Sequence, residues 1–291
     1  MVEESEFHSV NGMVKWRSSG NVMKTIANIE FNQLPLSEGI MTVSQCIRHD
    51  FPLMKVQAQL DSLVSSAKSC IDLTADNETK IQQLTSLFYQ EWSFGPAEGI
   101  YLLSDMLWLD KVLSSKQGTP VTLGAIFLYI AERLDIAIYP AIFPTQLLFI
   151  SERNDGSQWV INPVNGESLS LHTLNLWLKG TVDPFSEFYH DQLDVAENSV
   201  VIRKIFDTLK ASLMEEKKME LALRVCETLL TLDPEDPYEI RDRGLILAHL
   251  DCNHVALSDL NYFIEHCPED PVSEMIKIQI YSLDNHPVVL H

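Results

Sequence analysis

The alternation of apolar and polar positions divides the chain into four stretches. Residues 1–34 mix the two without a period and read as an extension of open order. Residues 35–110 form an N-terminal helical region. A segment over 43–48 is broken or restarted by Phe51-Pro52. Val56, Leu60, Leu63, Val64, Ala67 and Ile71 then fall at helical spacing, as do Ile81, Leu84, Leu87 and Phe88. Residues 111–195 change character. Thr119-Pro120 is a helix start, a hydroxyl cap followed by proline at the first helical position. The helix that follows, VTLGAIFLYIAERL, is apolar on nearly every face, so it is predicted to lie inside other layers. Three β-like stretches come next, IAIYPAIF, QLLFI and QWVIN, with turns at Asn154-Asp155-Gly156 and Asn165-Gly166. A short helix containing Leu171, Leu174, Leu176 and Leu178 follows. Everything after Val200 is helical, which makes 196–291 a fourth stretch.

This pattern predicts an α+β fold, predominantly helical: N-terminal helices, a buried helix on a small antiparallel sheet, and C-terminal helical repeats. The repeats show in the sequence itself. The tetrapeptide PEDP occurs at Pro234–Pro237 and again at Pro268–Pro271, and Ala222 is matched by Ala256 at the same shift of 34 residues. That is the period of tetratricopeptide helix-turn-helix units, which both copies resemble, with Gly244 and Ala256 as small packing residues.

Length admits two or three domains of about 100–150 residues each. A hydrophobic content of 46% with 11 glycines describes a chain that forms a core. The net charge of −20 disfavours direct nucleic-acid binding, because that affinity rests on Lys and Arg displacing counterions. The best basic run, Lys217-Lys218, is preceded by Glu215-Glu216. No signal peptide opens the sequence, and its longest apolar run, Val121–Ala131, is too short to span a bilayer. Five cysteines without regular spacing do not form a disulfide framework, so the expectation is a cytoplasmic protein with reduced thiols.

Candidate chemistry is sparse. Between Cys70 and Cys226 there is no cysteine, and between His49 and His172 no histidine. Nucleophilic catalysis of the usual kind needs an adjacent base, and this stretch lacks one. Glu91, Glu98, Asp105 and Asp110 are carboxylates, but spacing selects none of them. Gly118 to Gly124 has the wrong spacing for a phosphate loop. Cys46 with His49 supplies two ligands, too few to close a metal site, and Cys226, Cys252, His254, His266 and Cys267 lack zinc spacing. His172 and His190 remain, and His172, on a Leu-rich segment after the sheet, reads as a surface or interface residue. No metal and no cofactor is called for.

The segments GTPVTLGAIFLYIAERLDI, FPTQLLFI, INPVNGE, LFYQEWSF and RDRGLILAHL, with the repeats behind them, resemble the bacterial transglutaminase-like, repeat-bearing proteins of the Sir B type, named as regulators of invasion genes. The resemblance covers about residues 34–285 and implies a papain-like or transglutaminase-like core over 111–195, followed by two tetratricopeptide-like repeats over 196–291. In active relatives of that superfamily a cysteine starts the buried helix, and a histidine and an aspartate follow on neighbouring strands. Carried over by motif, those places hold Thr122 (give or take two residues), Gln146 and Asn162. Members of the bacterial family read FPGHF and DPF at the last two places, so each departure replaces an ionisable group by a neutral one. The resemblance thus implies no catalytic residue here, and a relic pocket of Thr122, Gln146 and Asn162 that offers only hydrogen bonds.

The expected function is non-enzymatic: an interaction or regulatory protein that binds another protein or a peptide. Paired-helix repeats build a concave surface from their first helices, and the basic groups there are Arg203, Lys210, Arg241 and Arg243, fitted to an acidic or C-terminal carboxylate partner. The alternative is a papain-like hydrolase or acyl-transferase using a non-standard base. Transcriptional regulation, which the family's naming implies, would act through a partner protein. Partner identity and oligomeric state stay open.

Overall fold

The computed structural model describes Ile26 and residues 29–189 and 193–284. Most of the expected extension lies outside the described residues; its described part makes one turn, Phe31–Gln33, that buries Phe31. Asn32 and Asn198 then tie it to the repeats: Asn32 Nδ2 donates to Glu197 at 3.0 Å and Asn198 Nδ2 donates to the Leu34 carbonyl at 2.8 Å.

The helical region consists of α1 (Leu36–Ile47), α2 (Leu53–Cys70) and α3 (Asn77–Thr85). Helix α1 begins well before the expected Val43, although Gly39 weakens its propensity. The reason is tertiary: a Cβ at Gly39 would stand 2.4 Å from the Ile202 side chain, so glycine permits two helices to touch. Asp76 caps α3 by accepting from Thr79 N at 3.0 Å. Helix α3 then widens into a π-turn over Ser86–Glu91, which buries Leu87 and Phe88. Strand β1 (Gly95–Pro96), helix α4 (Leu109–Ser115) and strand β2 (Gln117–Gly118) follow, with β1 and β2 parallel.

Helix α5 (Pro120–Arg133) is the expected buried helix, and every residue from Thr122 to Ala131 is buried. It packs on an antiparallel sheet of order β3 (Tyr139–Ile142), β4 (Leu147–Glu152), β5 (Gln158–Ile161) and β6 (Ser168–Leu169). The two-residue β6 is an addition to the three strands the sequence pattern predicts. Gly124 admits the sheet, because a Cβ there would lie 2.7 Å from Leu147. Alternation sends Leu147, Phe149 and Ile161 to the α5 side. Ala141, Phe143, Leu148, Ile150 and Val160 go to the other side, against Leu174 and Leu178 of α6 (Leu171–Thr181).

The repeats are α7 (Asn198–Glu215) with α8 (Met219–Leu232) and α9 (Pro237–His249) with α10 (Asn253–His266), closed by α11 (Ser273–Asp284). The PEDP copies are caps. Asp236 accepts from Tyr238 N at 2.9 Å, and Asp270, one repeat on, accepts from Val272 N at 2.8 Å. Ala222 and Ala256 are fully buried, and a Cβ at Gly244 would meet Asp259 and Leu260 at 3.0 Å. One apolar cluster runs from Ile26 through α1, α2 and α5 into α7, α8 and Ile246. Among the described residues no helix is long and apolar enough to cross a membrane.

Candidate functional site

The start of α5 is built as a reciprocal cap. The Thr119 hydroxyl accepts from Thr122 N at 3.3 Å, and the Thr122 hydroxyl accepts from Thr119 N at 3.0 Å. Thr122 Oγ1 also donates to the Met106 carbonyl at 2.9 Å, and the residue has no exposed surface. Gly118 lies over it, where a Cβ would come within 2.8 Å of Oγ1. The hydroxyl proton is therefore directed at a backbone carbonyl, and the oxygen's partners include neither a carboxylate nor an imidazole. Of the carboxylates weighed from sequence, Asp110 is held by Arg48 through two bonds of 3.1 and 3.2 Å.

Gln146 closes the β3–β4 hairpin. It exchanges both backbone bonds with Phe143, at 3.0 and 3.1 Å, around Pro144-Thr145. That pairing places it on the face carrying Phe143 and Leu148, turned towards α6. Its Nε2 and the adjacent Thr145 Oγ1 are buried without a hydrogen-bond partner among the described residues. Asn162 stands one residue past β5 and organises the next turn: its Oδ1 accepts from Val164 N at 3.1 Å, and its carbonyl accepts from Gly166 N at 2.8 Å. Gly166 takes a left-handed φ of 74°, and a Cβ there would stand 2.3 Å from Thr85 and 2.8 Å from the Tyr89 ring. Tyr89 in turn donates to the Pro163 carbonyl at 2.7 Å, and burial pushes its phenol well above the ordinary range. The fold brings Thr122, Gln146 and Asn162 to one end of the sheet, because α5 passes Leu147 at Gly124 and Phe149 at Phe127. Thr122 and Gln146 nevertheless lie in different layers, with the sheet between them.

On the repeats, α7 and α9 form a cleft of about 500 Å³ lined by Arg203, Lys210 and Arg241, together with Ala211, Met214 and Tyr238. Arg243 is not part of that lining. The cations are already engaged. Arg203 meets Asp207 at 3.0 Å, Asp236 at 2.8 Å and Glu239 at 2.9 Å. Lys210 is buried against Glu239 and lies 2.7 Å from Asp242. Arg241 meets Asp242 at 2.7 Å and faces the rings of Tyr238 and Phe263. Arg243 grips Asp259 through two bonds of 2.7 Å. Burial works against the Lys210 charge, but Asp242 and Glu239 outweigh it and hold the ammonium above its ordinary range. Burial likewise raises the Cys226 thiol, which donates to the Glu239 carbonyl at 3.1 Å. This buried network escaped the sequence reading. Its available signal was the spacing of Arg203, Asp207 and Lys210, three and four residues apart on one helix.

Among the described residues no group of three or more His, Cys, Asp or Glu side chains is placed to hold a metal ion. Cys46 is buried in α1, which pushes its thiol up to about 11, whereas His49 is exposed in the following turn. His172 is exposed on α6, and His190 lies outside the described residues.

A capped, buried helix on a small antiparallel sheet, continued by helical hairpins of 34-residue pitch, defines a transglutaminase-like domain joined to tetratricopeptide repeats. Sequence profiles agree: residues 54–207 match the transglutaminase-like superfamily and residues 209–281 the tetratricopeptide repeat. The chain is 54% identical to protein SirB1 of Salmonella typhimurium over 269 residues, 92% of this chain and the whole of that protein. It is equally similar to the UPF0162 protein YchA of Escherichia coli, and 35% identical over 270 residues to a UPF0162 protein of Vibrio cholerae, with 92% of this chain and all of each relative covered. It therefore belongs to the SirB1/UPF0162 family. A crystal structure of menin aligns over 93% of this chain and 84% of that one at a TM-score of 0.37 and 9% identity, a likeness too slight to bear on function.

Proposed function

We propose that this chain is a non-enzymatic regulatory protein that binds another protein through the inner face of its repeats. The reading is carried by Thr122. Thr122 lies at, or within two residues of, the position that the resemblance assigns to the nucleophile of active members, and its hydroxyl is sealed from solvent and donates to the Met106 carbonyl. An alcohol so placed lacks a base within reach and cannot meet a substrate. The repeats supply the binding face: the α7–α9 cleft, whose charged residues brace one another and leave Ala211, Met214 and Tyr238 as contact surface. The net charge of −20 favours a protein partner over a nucleic acid. Five free thiols, two of them exposed, suit a reducing cytoplasm.

The test has two arms. Ala211→Trp fills the cleft without touching the core, and a partner purified on the intact chain is expected to lose binding to this variant. In parallel, wild type and Thr122→Val are screened for ester, amide and acyl-transfer turnover. Turnover in wild type that disappears in a folded Thr122→Val protein would replace the binding reading with an acyl-transfer enzyme.

A further inference from the structure

The face of the sheet that turns away from α5 carries a cavity of its own. Helix α6 packs on this face with Leu174 and Leu178. Its neighbouring stripe, His172, Asn175 and Lys179, is spaced three and four residues apart, so these side chains share one flank of the helix. Together with Leu171, and with Glu187 and Phe188 from the chain beyond α6, they line a cavity of about 440 Å³. Small-molecule pockets run from roughly 300 to 1,000 Å³. None of the six residues lines the α7–α9 cleft.

The fold leaves the polar groups here unused. The Asn175 amide makes no hydrogen bond among the described residues, although its Oδ1 is buried. A buried acceptor in that state destabilises the protein until a donor reaches it. The β3–β4 hairpin repeats the observation: Thr145 Oγ1 and Gln146 Nε2 are buried and unpartnered, and the hairpin's Phe143 ring meets Phe188, on the cavity wall, at 6.4 Å. Three of the four such atoms among the described residues therefore belong to this one layer; the fourth, Ser37 Oγ, is in α1.

The charges of the cavity behave unlike those of the repeats. Lys179 and Glu187 both line it, and neither makes an ion pair among the described residues, with the other or with any third group. In the α7–α9 cleft opposite charges close on one another instead. A wall that keeps one cation and one anion apart disfavours a singly charged ligand, which would meet a like charge. It complements a zwitterion, whose two charges hang on one carbon and can answer both.

We infer that this cavity binds a free amino acid with an apolar side chain. Its carboxylate meets Lys179, its ammonium meets Glu187 and the Asn175 oxygen, and its side chain packs on Leu171 and Phe188. The site does not depend on partner binding by the repeats.

L-Leucine and L-phenylalanine are titrated into the full chain by isothermal titration calorimetry, with melting temperature followed in parallel. The comparisons are N-acetyl-leucine, which lacks the ammonium, leucinamide, which lacks the carboxylate, and L-glutamate. Leucine or phenylalanine is expected to bind and to raise the melting temperature, and each comparison to bind at least about fivefold more weakly. Lys179→Met should weaken leucine about fivefold and leave leucinamide unchanged, whereas Glu187→Gln should weaken leucine about as much and leave N-acetyl-leucine unchanged. Asn175→Leu should weaken leucine likewise while the ligand-free variant melts no lower than wild type, because an apolar side chain removes an unsatisfied oxygen. Lys179 and Glu187 are exposed, so their variants decide the matter should Asn175→Leu melt early. Ala211→Trp should change nothing. The inference is overturned if neither amino acid binds at millimolar concentration, if N-acetyl-leucine and leucinamide bind as tightly as leucine, if Lys179→Met and Glu187→Gln leave leucine binding intact, or if only Ala211→Trp moves it.

Discussion

Thr122→Val separates a structural threonine from a chemical one. Valine keeps the shape of the side chain and removes only the hydroxyl, so packing around the start of α5 is preserved. What is lost is the donor to the Met106 carbonyl at 2.9 Å, a fully buried bond, and the acceptor of Thr119 N at 3.0 Å, which is part-buried. Leaving a buried donor unsatisfied costs about 1–3 kcal/mol, and the orphaned carbonyl adds a smaller amount, for a total of about 3 kcal/mol. For a chain of this size that lowers the melting temperature by roughly 6–10 °C. Thr122→Ser restores both hydrogen bonds and gives up one buried methyl, at about 1 kcal/mol. The expected order of stability is therefore wild type, serine, valine, read by denaturant midpoints and differential scanning calorimetry. A valine variant as stable as wild type would refute the capping argument, and with it the claim that this hydroxyl is fully occupied.

Four further outcomes follow from other contacts. Gly166→Ala forces a side chain into a left-handed turn and against Thr85 and Tyr89, so the melting temperature should fall by more than a simple glycine-to-alanine change allows, about 1 kcal/mol being the backbone part alone. Asp76 is held down to about 2, first by the backbone donor of Thr79; its contribution is present above the ordinary carboxylate range near pH 4 and lost as pH falls through 2, so Asp76→Asn should flatten the acid limb of the stability profile in that window. Lys210→Met leaves Glu239 buried with Arg203 as its remaining cation and should cost about 3 kcal/mol, most of it recovered in the double variant with Glu239→Gln, as urea midpoints would show. A chain truncated after Val195 should give no cooperative melt by circular dichroism; a sharp transition would show that the core stands without the repeats.

Periodicity made α2, α5 and the repeats legible, because each buries a face whose apolar residues recur at helical spacing and whose ends carry caps such as Thr119-Pro120 and Asp236-Pro237. It shortened α1 to a segment over 43–48, whereas the helix begins at Leu36, with Gly39 packed against Ile202 of the repeats. The sequence offered Thr122, Gln146 and Asn162 as candidates by resemblance, but not the layer each would occupy: the Phe143–Gln146 pairing turns Gln146 away from α5, and register over a two-residue loop is not written in composition. The basic groups of α7 and α9 were read as free charge although Asp207 and Asp242 stand beside them on the same helices, and their remaining partners come from other helices. Asp236 and Glu239 reach Arg203 only after the second hairpin has folded back.

The contact between Gly39 of α1 and Ile202 of α7 also joins the two halves of the chain. Helix α7 buries Val201, Ile202, Ile205, Phe206, Leu209 and Leu213 in the cluster that also holds α1 and α5. At about 1.5–3 kcal/mol for each large side chain, those six contribute of the order of 10 kcal/mol, comparable to the whole stability of a typical domain. The first repeat is therefore a structural layer of the transglutaminase-like domain as well as a repeat. Glu216 and Lys218, at its hairpin, hold Ser104 and with it the exposed Ile100–Leu103 loop. The α7 wall of the concave cleft, Asn198–Glu215, is thus anchored in the core at six positions.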